Sequence, residues 1–184
     1  MTKFVSVIGN GESRRGFDIT PLKGITTVVG CNAIYTRENW YKQFAFWPNV
    51  RKVPELPYEG EKRQDEPFHW GTGQFAALVG MQFKPKAIFL IAMDLWGIEG
   101  KKGTEGVNNI YKGSKGYTYI KRPVDPRYWI YQFNKLFEYS DCRWIVVNDE
   151  NWKMPDEWKD KKNVFQESYE GLAKWINKQL TKSK

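Results

Sequence analysis

Apolar residues fall along this chain in two distinct rhythms. Short runs rich in β-branched and aromatic residues, at Lys3 to Ile8, Thr26 to Val29, Ala87 to Met93 and Arg143 to Val147, predict strands. The Ala87 to Met93 run is apolar without a break, as a central parallel strand covered on both faces must be, and it stops at Asp94. Between the runs the spacing turns helical. Phe75, Ala76, Leu78, Val79 and Phe83 predict a buried helix from Thr72 to Phe83. Trp129, Phe133, Leu136 and Phe137 share one face of a helix opened by Asp125 as cap and Pro126 in the first turn. Tyr169, Leu172, Ala173, Ile176 and Leu180 mark a closing amphipathic helix. From Phe17 to Leu22 only a short crossover fits, because Pro21 and Gly24 break regular turns.

Strand and helix in alternation predict an α/β fold: a single Rossmann-like domain over residues 1–184, with a mostly parallel sheet and helices on both faces. Two stretches interrupt the rhythm. Residues 36–67 form a charged, Pro-rich excursion holding Pro48, Pro54, Pro57 and Pro67, with a possible edge strand at Val50 to Val53, and residues 96–123 form a long Gly-, Lys- and Tyr-rich loop. In parallel α/β sheets, ligands bind at the carboxyl ends of strands. That rule gathers Gly9 to Ser13, Cys31-Asn32, Gly71 to Gly73, Asp94 and Asn148-Asp149 into one crevice.

Composition narrows the partners. The 184 residues hold 29 Lys and Arg against 21 Asp and Glu, a net charge of +8 that suits an anionic ligand as well as solubility. The basic residues are scattered and form no RNA-binding motif, so nucleic acid ranks third among the expected partners. No run reaches the roughly 20 apolar residues of a membrane helix, and no basic-then-apolar leader opens the chain, so a cytoplasmic protein without membrane insertion is expected. Two cysteines, Cys31 and Cys142, and one histidine, His69, cannot assemble a Cys/His zinc cluster.

The turns restrict the chemistry further. After the first strand, Gly9-Asn10-Gly11-Glu12-Ser13 exposes backbone amides suited to a phosphate, but Arg14 stands where a dinucleotide fingerprint needs its third glycine. The second strand ends in Asn32 rather than an acid, so NAD is disfavoured. Walker and Asp-x-Asp motifs are both absent. Asn10 is either a turn residue or a ligand contact, and Ser13 either a helix cap or a phosphate contact. Asn32 suits a ligand contact or a structural bond to the first loop. Thr72 is expected to cap its helix, and a capped helix end also favours an anion by about 0.3 to 2 kcal/mol. Asp94 either organises neighbouring loops or takes part in function.

"GNGES", "GCNAIY", "GTGQFAALVGMQFKPKAIFLIAMDLWG" and "DPRYWIYQFNKLFEY" occur in an order that resembles bacterial lipooligosaccharide sialyltransferases, over about two thirds of the chain. The chain is also similar to small bacteriophage proteins. The resemblance implies a metal-independent glycosyltransferase-like protein with a CMP-type sugar donor as substrate and no separate cofactor. By matched position, Asn10, Gly11 and Ser13 would hold the phosphate and ribose, Asn32 would contact the nucleotide near the sugar, and Thr72 with Gly73 would complete the pocket; Gly9 and Asp94, at the same strand ends, are counted with them as candidate binding residues. Two departures stand out. Trp96 replaces a tyrosine, and the loop from Gly97 to Pro123 lacks the family's histidine base. Tyr111, Tyr117 and Tyr119 could bind a phosphate, but a tyrosine acting as base near neutrality needs a shift of about three pKa units, or about 4 kcal/mol. Tyr117 is carried as the catalytic tyrosine and His69 as an alternative base, unless His69 is structural. The competing expectation is a non-catalytic nucleotide-binding or virion- and host-interaction protein of a bacteriophage.

Overall fold

The computed structural model describes residues 3–30, 71–95, 108–111 and 126–182. Asn32, His69 and Tyr117, together with Cys31, Asp125, the excursion at 36–67 and most of the loop at 96–123, lie outside the described residues.

Among the described residues, five strands form one sheet: β1 (Phe4–Ile8), β2 (Thr27–Gly30), β3 (Ala87–Ile91), β4 (Arg143–Asn148) and β5 (Val164–Ser168). Every pairing is parallel and the spatial order is β2-β1-β3-β4-β5. The chain is therefore an α/β Rossmann-like domain in which the strand order reverses between β1 and β3. Register fixes the level of the strand ends. Ile8 pairs with Gly30 and Ile91, and Ile91 with Val147, so the loops leaving β1, β3 and β4 emerge side by side at the carboxyl edge.

Alternating strand residues feed two cores. Val5, Val7, Ile88, Leu90, Trp144 and Val146 face helices α1 (Thr72–Met81), α2 (Arg127–Glu138) and the short α3 (Asp156–Lys159). Ile8, Val28, Phe89, Ile91 and Val147 face the opposite layer, built from the 3₁₀ turn Thr20–Gly24 and from α4 (Tyr169–Lys182). The layers follow from handedness. A right-handed crossover from β1 outward to β2 lies on one face, and crossovers running the other way, from β2 to β3 and onward, lie on the other.

Several expected boundaries move. Gly71, not Thr72, is the N-cap of α1, and no side chain caps that helix. A side chain at position 71 would meet Gln74 Oε1 at 2.3 Å, so the Gln74 side chain would have to move, and the Gly71 N–H donates to Gln132 Oε1 at 2.9 Å. The helix ends at Met81 rather than Phe83, with Lys84 at φ 49° just beyond it. Phe75, expected inside, is 36% exposed. β3 stops at Ile91 rather than Met93 because Ala92 turns to φ 55°, which ends the ladder. In α2 the buried face is Ile130, Gln132, Phe133, Leu136 and Phe137, and Trp129 is only partly covered.

Candidate functional site

At the carboxyl edge between β1 and β3, the glycines of the β1 exit and of α1 lie close against the β3 exit. A Cβ at Gly9 would lie 2.3 Å from the carbonyl oxygen of Ala92 and 3.0 Å from Met93 Sδ, and a Cβ at Gly73 would also lie 3.0 Å from that sulfur. Met93 is thus the point where the β1 exit, the β3 exit and the start of α1 converge. A Cβ at Gly11 would fall 2.2 to 2.4 Å from the Asp94 carboxyl group. The β3 exit itself holds two non-glycine residues in the left-handed region, Ala92 at φ 55° and Leu95 at φ 66°. Such geometry costs about 1 to 2 kcal/mol per residue and concentrates at functional sites.

Asp94 lies at the centre, 6% exposed. One carboxylate oxygen accepts the Ser13 backbone N–H at 3.0 Å. The other accepts Ser13 Oγ at 2.5 Å and Asn148 Nδ2 at 3.1 Å, and the Asn108 side chain adds a further bond. Burial raises the Asp94 pKa, and the bonds from Ser13, Asn148 and Asn108 work against that rise. Its backbone carbonyl accepts Trp152 Nε1 at 2.9 Å, which ties the β4–β5 connection to the same point.

Ser13 Oγ also lies 2.8 Å from Tyr169 OH, so Asp94, Ser13 and Tyr169 form a continuous hydrogen-bonded chain. Tyr169 is the first residue of α4, directly after β5, and from there its hydroxyl reaches Ser13 at the carboxyl edge. Burial pushes its hydroxyl far above the usual tyrosine range. It stays protonated and can donate. Arg14, 3% exposed, lies behind the turn, with Nε donating to the Gly9 carbonyl at 3.1 Å and Nη2 to Tyr111 OH at 3.0 Å. Residues 108–111 lean on the same turn, Asn108 Oδ1 accepting the Glu12 N–H at 2.7 Å and Ile110 N–H donating to the Asn10 carbonyl at 2.8 Å.

The expected phosphate turn therefore has a specific state. Gly9 N–H donates to the Ile91 carbonyl at 2.7 Å and Gly11 N–H to the Ala92 carbonyl at 3.1 Å. Glu12 N–H reaches Asn108, and Ser13 N–H and Oγ reach Asp94. Five donors that a phosphate could use, four backbone N–H groups and the Ser13 hydroxyl, are engaged by the protein's own oxygens.

Gly9, Asn10, Gly11, Ser13, Gly73 and Asp94 are brought to this edge, with Thr72 in the adjoining first turn of α1. Tyr169 and Arg14 join them without a signal in the spacing of the chain. Tyr169 reads as the first apolar position of an amphipathic helix, and its place at the edge depends on the unpatterned strand before it. Arg14 is conspicuous in sequence only for what it excludes. Among the described residues no group of three or more His, Cys, Asp or Glu side chains could hold a metal, and no helix is long and apolar enough to cross a membrane. Comparison of the chain with protein-family models, curated proteins and solved structures gives no match.

Proposed function

We propose that the chain binds a nucleotide at the carboxyl edge between β1 and β3 and uses it as the activated sugar donor of a metal-independent transfer, with a CMP-type donor by resemblance. The observation that carries this reading is the convergence at Met93 of two glycine-bearing segments, the β1 exit and the start of α1, at the point where the strand order reverses, beside a β3 exit with two left-handed residues. Close backbone approach at such a reversal is what a flat, anionic ligand requires. In this reading Asn10 and the first turn of α1 at Thr72 and Gly73 contact the nucleotide, Asn32 lies near the sugar, and His69 or Tyr117 supplies the base.

A second reading is a nucleotide binder without turnover, of the bacteriophage kind. The Asp94–Ser13–Tyr169 chain favours it, because the two titratable groups in it are bonded to Ser13 and Tyr169 stays protonated, so this chain does not supply the base of a transfer.

Thermal-shift measurements with CMP, CDP, UMP, UDP, GDP, NAD and short oligonucleotides test binding. A ligand at a hundred times its dissociation constant stabilises by about 2.7 kcal/mol. Cytidine nucleotides are expected to raise Tm, and Asn32→Ala to weaken the effect. Hydrolysis of a CMP-activated sugar by the wild type but not by Asn32→Ala supports transfer. A Tm shift with no hydrolysis supports the second reading, and no shift at millimolar nucleotide rejects both.

A further inference from the structure

Basic residues that are scattered along the chain meet at the amino edge of the sheet, the end opposite the crevice. The backbone there sets them in a row. Lys86 N–H donates to the Lys3 carbonyl at 3.0 Å, Arg143 N–H to the Lys86 carbonyl at 3.1 Å, and Trp144 N–H to the Asn163 carbonyl at 2.7 Å. Lys3, Lys86, Arg143 and Lys162, which precedes Asn163, therefore stand at the starts of β1, β3, β4 and β5, with about 4.8 Å between neighbouring strands. All four are exposed, and none makes an ion pair among the described residues. Of the acids at this edge, Glu138 is engaged by Lys135 at 3.3 Å and Lys161 at 2.7 Å, which leaves Asp141 and Asp160 against the row.

Two exposed aromatic side chains accompany these cations. Tyr139, 55% exposed, closes α2 four residues before Arg143, and Asn163 Nδ2 donates to the carbonyls of Phe137 and Ser140 on either side of it, at 2.9 and 2.8 Å. Phe165, 45% exposed, faces the Arg143 guanidinium, 6.0 Å from its ring centroid. A line of cations with flat aromatic side chains beside it suits an anionic chain of unpaired bases, with phosphates on the cations and bases on the rings.

We propose that the amino edge is a docking surface for single-stranded nucleic acid, with Lys3, Lys86, Arg143 and Lys162 on the phosphates and Tyr139 and Phe165 stacking on bases. It lies a strand length, about 17 Å, from the crevice and does not rest on the nucleotide reading above. A duplex keeps its bases stacked on one another and away from the two rings. An anionic bilayer needs an inserted apolar face, and the apolar face of α4, the helix ending at this edge, is turned to the sheet with Leu172 and Ile176 buried.

Fluorescence anisotropy with a labelled single-stranded dodecanucleotide and its duplex, with co-sedimentation on phosphatidylserine-containing vesicles, tests this. Single-strand binding is expected to weaken with salt at a slope of about −3 in log K against log concentration, from about four phosphate contacts. Lys86→Ala with Arg143→Ala is expected to weaken it about tenfold or more and to lower that slope by about one. Tyr139→Ala is expected to weaken it about fivefold or more. Arg15→Ala with Lys174→Ala removes the same charge elsewhere and is expected to change affinity by about twofold or less. Near-UV circular dichroism verifies folding. Equal losses in both double variants, duplex binding as tight as single-strand binding, or binding to vesicles but to no oligonucleotide overturns the proposal. The wild type gives a reading without substitution: the single strand is expected to move the amide resonances of Lys3, Lys86, Arg143 and Lys162. Saturation that leaves those four in place, or no binding at low salt, also overturns it.

Discussion

At the scale of single residues, the approach of Gly11 to Asp94 is the tightest glycine contact at the carboxyl edge between β1 and β3. Alanine at position 11 places a methyl group within 2.4 Å of all three carboxyl atoms. Gly11→Ala is therefore expected to destabilise by about 1 to 3 kcal/mol in chemical denaturation, the usual range for overpacking. Asp94→Ala in the same chain should recover part of that loss, and a strictly additive double mutant would show that the two positions do not press on each other. Asp94 also gives a pH signature. Its pKa is raised above the ordinary 3.8 by burial, so the group favours folding most below that value, and this contribution is lost as pH rises through the raised pKa. The stability of wild type minus that of Asp94→Asn should fall as pH increases from below 3.8 toward neutrality. The exposed carboxylates Asp18, Asp156 and Glu170, whose values are lowered, run the opposite way and cancel in that difference. A difference independent of pH would mean that Asp94 titrates alike in the folded and unfolded chain. The sequence identifies Gly9, Asn10, Gly11, Ser13 and Asp94 as neighbours because strand ends in a parallel sheet must meet. It does not disclose that Ser13 would spend its donors on Asp94, since that depends on the close approach of two loops 81 positions apart.

At the scale of elements, the β3 exit and the β4–β5 connection carry separate expectations. Ala92 is buried at φ 55°, so glycine there loses a methyl contact but relieves left-handed strain. Ala92→Gly should stay within about 0.5 kcal/mol of wild type, whereas Ala77→Gly, in the interior of α1, should cost about 1 kcal/mol or more. Equal losses at both positions would contradict strain at the β3 exit. In the β4–β5 connection, Trp158 is fully buried in the four-residue α3, packs edge-on against Phe133 and Phe137, and donates its indole N–H to the Ile130 carbonyl at 3.2 Å. Trp158→Ala is expected to cost about 3 to 5 kcal/mol by thermal or denaturant unfolding. This connection and β5 are the parts of the fold that patterning does not announce. α3 is a single turn, too short to show a helical period, and β5 carries Phe165, Gln166 and Glu167 largely exposed, so it has neither the apolar run of a central strand nor strict alternation. β1, β3 and β4 are legible for the converse reason: both of their faces are covered, and their sequences are almost uniformly apolar.

At the scale of the whole molecule, the order β2-β1-β3-β4-β5 makes one place on the carboxyl edge different from the rest, and the glycines, the strained β3 exit and the Asp94–Ser13–Tyr169 chain all meet there. The net charge of +8 adds a long-range pull on any anion but no address. Binding dominated by that charge would fall steeply with salt, as for nucleic acid, whereas a nucleotide held by a few directed contacts loses affinity more gently. The most direct measurement is a ¹H–¹⁵N correlation spectrum recorded through a titration with CMP. Binding at the reversal of strand order is expected to move the amides of Asn10, Gly11, Ser13, Thr72, Gly73 and Asp94 together, with one dissociation constant. Saturating CMP that leaves these six resonances in place, or that moves instead the amides of Val164 to Ser168 at the far side of the sheet, would contradict a nucleotide site between β1 and β3.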